Sequence, residues 1–113
     1  MGLKRPPKAF LNNSFYYSEY TGTDKWTQPI FNVPVEINNC RIDAETVFSY
    51  GAGGKTLLYN GLIICYAGIT TPLPDFKDQS KIVYDNKEHT ITRVIPVKEP
   101  YSNSIYSYEI EVV

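Results

Sequence analysis

Gly51-Ala52-Gly53-Gly54-Lys55-Thr56 ends like a phosphate-binding loop and is the first place where residue types suggest chemistry. Such a loop needs a glycine five residues before its second one, so that successive backbone amides wrap the phosphate. That position is Ser49, and Leu57-Leu58-Tyr59 downstream reads as extended chain, not as a helix whose N-terminus would hold an anion. A dinucleotide fingerprint fails as well, because its third glycine would fall on Thr56. The segment is therefore expected to be a mobile glycine loop that carries one cation, Lys55. His89 is the only imidazole; a nucleophilic relay would have to use it, yet it lies beside a turn and is expected as a surface residue of a strand. One histidine and two distant cysteines cannot supply the three or four ligands that zinc needs. The carboxylate pairs Asp75/Asp78 and Glu109/Glu111 fall on exposed loop or strand faces, where solvation explains them. These residues exclude an enzyme as the expected reading and call for no metal or cofactor.

Composition fixes the kind of scaffold. Valine, isoleucine and threonine total 28 of 113 residues, against 10 for alanine and leucine, and sixteen aromatics join them. Branched and aromatic side chains favour a pleated, half-buried backbone, so an all-β domain is expected: a small closed barrel or sandwich with long loops and at most one short helix. Closure removes the sheet edges that such a chain would otherwise expose. The length allows one domain, read as an extended arm over residues 1–13 and a barrel over 14–113; about two-thirds of the chain's surface can be buried at this size. Period-two alternation predicts a weak strand over 14–20, and Val33, Val35 and Ile37 alternate into Asn38-Asn39, read as a turn. Residues 44–50 are a strand turn or a short helix capped by Asp43, and 57–69 form a central strand interrupted at Asn60-Gly61 by a bulge or a hairpin turn. Residues 72–78, with two prolines and three charges, read as an exposed stiff connection. A hairpin joins 81–84 to 88–97 through Asp85 and Asn86, with Pro96 and Pro100 ending its second strand. A closing strand follows over 105–113, with Tyr106, Tyr108, Ile110 and Val112 on one face.

Charge is balanced, eleven basic against twelve acidic residues, so nothing drives the chain towards nucleic acid or membrane as a whole. The basic start has no apolar stretch behind it, Pro6 occupies the place a myristoylation motif gives to serine or threonine, and the longest near-apolar run is half a membrane span. A soluble protein made inside the cell is expected. Cys40 and Cys65 lie among apolar neighbours, as buried thiols or as a single disulfide. Ten tyrosines fit a surface that grips other proteins, where a ring and a polar tip both find partners. They also fit single-stranded nucleic acid stacked on an OB-like barrel, although Glu109 and Glu111 beside Tyr106 and Tyr108 would repel phosphate. The arm Lys4-Arg5-Pro6-Pro7-Lys8 is stiffened by its prolines and suits docking onto a neighbouring subunit.

In order along the chain, Lys4-Arg5-Pro6-Pro7-Lys8, the stretch 17–22, Trp26-Thr27-Gln28-Pro29-Ile30-Phe31, Pro34-Val35-Glu36-Ile37-Asn38-Asn39-Cys40-Arg41-Ile42-Asp43, Leu57-Leu58-Tyr59 and the stretch 81–92 are followed by a closing Tyr106-Ser107-Tyr108-Glu109-Ile110-Glu111-Val112-Val113. This pattern resembles the minor capsid, or head–tail connector, proteins of long-tailed phages that infect Gram-positive bacteria. Cys65-Tyr66 departs from it, where a more polar stretch is expected. The resemblance implies a head-completion or stopper subunit, assembled in the host cytoplasm into a homo-oligomeric, dodecameric ring at the head–tail junction of the virion. Its implied partners are copies of itself, the portal and adaptor proteins, the tail-completion protein and, without sequence preference, packaged double-stranded DNA; no membrane is involved. On that reading Gly51, Gly53, Gly54 and Lys55 face the DNA channel, and Lys4, Arg5, Trp26, Tyr106 and Tyr108 lie at subunit interfaces.

Overall fold

A computed structural model describes residues 6–44 and 46–113. The chain is all-β. Among the described residues a single 3₁₀ turn, η1 (Lys8–Phe10), is followed by ten strands: β1 (Asn13–Ser18), β2 (Tyr20–Thr23), β3 (Pro29–Phe31), β4 (Val35–Asp43), β5 (Val47–Gly51), β6 (Gly54–Tyr59), β7 (Gly61–Tyr66), β8 (Lys81–Tyr84), β9 (Lys87–Lys98) and β10 (Ile105–Val112). Six of them close a barrel in the order β1-β4-β7-β10-β9-β8, while β2-β3 and β5-β6 form separate two-stranded sheets. The expected closed barrel is present, and every barrel pair is antiparallel.

The strands form where alternation delivers apolar side chains to one side. In β7, Gly61, Ile63 and Cys65 are buried, and Leu62, Ile64 and Tyr66 alternate with them half-exposed. Phe15, Ile37, Cys40, Ile63, Ile82, Ile91, Ile110 and Val112 fill the interior. Both cysteines are free thiols. The Cys65 thiol hydrogen-bonds Cys40 and lies deep in the core, which together push its ionisation far up and leave it inert.

Four local expectations change. Asn38-Asn39 is not a turn: β4 runs through it as one nine-residue strand, with Asn39 at φ 62°. Asn13 pairs with Cys40 and Ser14 with Asn38, so Asn39 is the extra residue of a β-bulge. Asparagine tolerates the left-handed conformation that turns and bulges share, so its presence does not distinguish them. The Asn39 amide donates to the Leu11 carbonyl at 3.2 Å, and its own carbonyl accepts from the Thr70 hydroxyl at 2.7 Å. Of the two readings open for 44–50 the extended one holds, since residues 47–51 form a strand, and Gly51-Gly54, expected as a mobile loop, is the tight end of a hairpin. Pro96 lies inside β9, opposite Tyr108; β8 pairs only Lys87 to Thr90, so at Pro96 a missing ladder donor is tolerated. The stretch 72–78 is not merely an exposed connection. It inserts Phe76 into the core, where its ring meets Tyr17 at 5.0 Å and Tyr108 at 5.6 Å, both edge-on.

β4 also sets the layout. The β2–β3 hairpin connects β1 to its start and the β5–β6 hairpin connects its end to β7, so the two leave opposite ends of the barrel. The chain extends 47 Å along its longest axis, and its 15.3 Å radius of gyration exceeds the ~13 Å of a compact domain of this length.

Candidate functional site

Three surfaces carry the residues that sequence reasoning singled out. The first is the β5–β6 hairpin. Gly51 pairs with Gly54 across a two-residue turn of Ala52 and Gly53, and Gly54 has φ +101°, a backbone that side chains disfavour. No atom lies within 4 Å of where a side chain would start at Gly51, Gly53 or Gly54, so this tip stands in open space. Lys55 opposes Tyr50, which is 76% exposed, and the Lys55 ammonium sits 3.9 Å from the centre of the Phe48 ring. Gly54 opens a strand, which removes the helix N-terminus that a phosphate loop requires.

The second surface is the β2–β3 hairpin at the other end. Its base is tied to the barrel: the Tyr20 amide donates to the Ser80 hydroxyl at 2.9 Å, and the Asn32 amide to the Glu19 carbonyl at 2.8 Å. The Lys81 ammonium approaches the Phe31 ring at 5.1 Å, and Phe31 meets Tyr20 edge-on at 6.1 Å. Its turn is built by one carboxylate. Asp24 Oδ1 accepts from the amides of Trp26 at 2.8 Å and Gln28 at 2.9 Å, and Thr27 takes φ 62°. That rigid turn presents Trp26, 70% exposed, with the Lys25 ammonium 5.0 Å from its ring. At the hairpin's base Tyr17, Glu19, Asn32, Val33, Val35, Pro72 and Pro74 line an apolar groove of about 210 Å³. Sequence reasoning missed this groove, because Val33 and Pro72 stand 39 positions apart and meet only through the fold.

The third set is half-buried on β7 and β10. Tyr108 donates its hydroxyl to Asp75 Oδ1 at 3.0 Å and packs on the core, and Tyr66 and Tyr106 meet edge-on at 5.6 Å. Burial, followed by the Asp75 hydrogen bond, pushes the Tyr108 phenol above its ordinary range. Burial does the same for Tyr66, with Tyr106 adding to it. Neither Tyr106 nor Tyr108 forms an open stacking platform. Lys4 and Arg5 lie outside the described residues.

His89 is half-buried rather than a surface residue. Its ring stacks on Tyr84 at 4.4 Å and 6°, and Nε2 is buried without a hydrogen-bond partner. No nucleophile or carboxylate is hydrogen-bonded to that nitrogen, and among the described residues no group of three or more histidine, cysteine or acidic side chains is placed to hold a metal ion. A hollow lined by Ala44, Asn60, Tyr84, Asp85, Lys87 and His89 lies beside it.

Comparison with known proteins gives a consistent answer. Uncharacterized protein ORF5 of Lactococcus phage LL-H is 30% identical to this chain over 81 residues, covering 69% of each. Uncharacterized protein ORF5 of Lactococcus phage mv4 is 25% identical over 80 residues, 68% of this chain and 71% of that protein. No solved structure matches. The family profile described as minor capsid protein matches residues 7–112, which span every strand of the barrel, and the chain therefore belongs to the minor capsid protein family, as a structural component of the phage virion.

Proposed function

We propose that this minor capsid protein is a head-completion, stopper-type subunit: copies form a ring at the head–tail junction, close the DNA channel below the portal and offer the tail a docking surface. One observation carries the reading. The barrel sends out two hairpins from opposite ends, and each is a two-stranded sheet with no barrel strand beside it. Two-stranded hairpins are marginal on their own in water, so a chain that keeps two of them gains by packing them against neighbours. The proposed role is one of contact and not of catalysis.

In this reading the Gly51–Gly54 tip lies in the channel, where a glycine turn can yield to let DNA pass, and Lys55 meets phosphate without sequence preference. Balanced charge makes the isolated chain a weak and strongly salt-dependent DNA binder. The test is a phage whose Ala52 and Gly53 are removed with Lys55→Ala. Its particles should retain this protein at the junction, seen by negative-stain microscopy with a C-terminal label, yet lose packaged DNA on storage. Particles that stay tight refute the channel role, and a label found away from the head–tail junction refutes the stopper reading itself.

A further inference from the structure

The β2–β3 hairpin carries a peg at its tip and an unfilled socket at its base. Trp26 is exposed, yet Asp24 holds its turn rigid with two hydrogen bonds, so little conformational freedom is lost when the indole docks. The groove of Val33, Val35, Pro72 and Pro74 is apolar, has room for one indole in its roughly 210 Å³, and exposes Val33 by 82%. Trp26 cannot fill the socket of its own chain: the four residues of β2, at about 3.4 Å each, hold the tip more than ~10 Å from the groove. Charge agrees with the fit. Lys25 travels beside the indole, and among the described residues the only charged side chain lining the groove is Glu19, whose carboxylate otherwise meets the Asn32 amide at 3.4 Å and an exposed Lys77 at 3.6 Å.

We propose that Trp26 of one copy seats in the Val33–Pro72–Pro74 groove of the next, with Lys25 facing Glu19, and that this head-to-tail contact joins neighbouring subunits. A peg and a socket on different parts of one surface make a heterologous contact, which propagates from copy to copy and closes into a ring when the rotation allows. Tryptophan in an apolar pocket ringed by polar groups is the usual anchor of such contacts. The proposal rests on the ring reading above and supplies the surface that the ring would use.

Trp26 is the chain's only tryptophan, so its fluorescence reports on this contact alone. Sedimentation equilibrium of the full chain up to about 1 mM, the weak end of specific association, should show mass growing beyond two copies as Trp26 emission shifts to the blue. Trp26→Ala and Val33→Glu both alter exposed residues; circular dichroism should show each folded, and each should weaken association roughly 30-fold or more. The decisive sample is their mixture. The Val33→Glu chain keeps an intact peg and the Trp26→Ala chain an intact socket, so an equimolar mixture should form one-to-one pairs and stop there. A wild-type chain that stays monomeric, stops at two copies, or associates with unchanged Trp26 emission overturns the proposal. So does a mixture that fails to pair. Those results leave the stopper reading to the labelled virions, and virions with the label misplaced would defeat that reading while this contact still stood.

Discussion

Gly61 shows how one residue can be dictated by its neighbours. A side chain there would start 2.6 Å from Tyr84 Oη, 3.3 Å from Val112 Cγ2 and 3.6 Å from the Asp43 carbonyl oxygen. Tyr84 has little freedom to withdraw, because it is buried in the barrel and stacked flat against His89. Gly61→Ala should therefore cost about 1–3 kcal/mol of stability by overpacking. Since the closest atom is the tyrosine hydroxyl, adding Tyr84→Phe should return most of that loss in urea unfolding, and a double variant no better than the single one would place the clash elsewhere. Asn60-Gly61 reads from sequence as a bulge or turn signal. The structure assigns the glycine a different task, close packing between β7 and the β8–β9 turn, because only the fold brings Tyr84 to it.

At the scale of elements, the β8–β9 hairpin was the most legible feature, whereas the β2–β3 and β5–β6 hairpins were not read from sequence. Tyr84 pairs with Lys87 across Asp85 and Asn86, both in the left-handed region at φ 52° and 60°, as a two-residue turn of this chemistry demands. The stretch 72–78 was the least legible. Prolines and charges describe its solvent side correctly, but one aromatic among them decides its packing. Phe76→Ala should cost about 3–5 kcal/mol, as much as removing a strand's central residue, since three rings lose a partner. A loss below about 1 kcal/mol in thermal or urea unfolding would mean that the stretch only lies over the barrel. The open side of β9 beyond the reach of β8 carries Arg93, Pro96 and Lys98, the residue types that discourage stray strand pairing.

For the whole molecule, pH offers a test of the packed interior. Cys65, Tyr66, Tyr84 and Tyr108 all have their ionisation pushed up in the folded state, the thiol by its hydrogen bond to Cys40 and by burial, the phenols chiefly by burial. The unfolded chain sheds these protons first, near pH ~8.5 for a thiol and ~10 for a phenol, so it binds fewer protons than the native state above those values. Stability from these groups is complete below about pH 8.5 and declines as pH rises further; a Tm that climbs between about pH 9 and 11 would contradict this packing. The described residues offer two hairpins outside the barrel sheet and no group of three or more histidine, cysteine or acidic side chains placed to hold a metal ion. What the residues determined by themselves was the β class, the turn at Asp85-Asn86, and the absence of spacing for a phosphate loop or zinc site, because each depends on local backbone preference or on spacing along the chain. Only the tertiary structure decided that Asn39 bulges rather than turns, that Phe76 enters the core, that Tyr108 binds Asp75 within its own chain, and that Val33 meets Pro72 and Pro74 in a groove. Those outcomes depend on contacts between residues distant in sequence, and closure of the barrel is what brings them together.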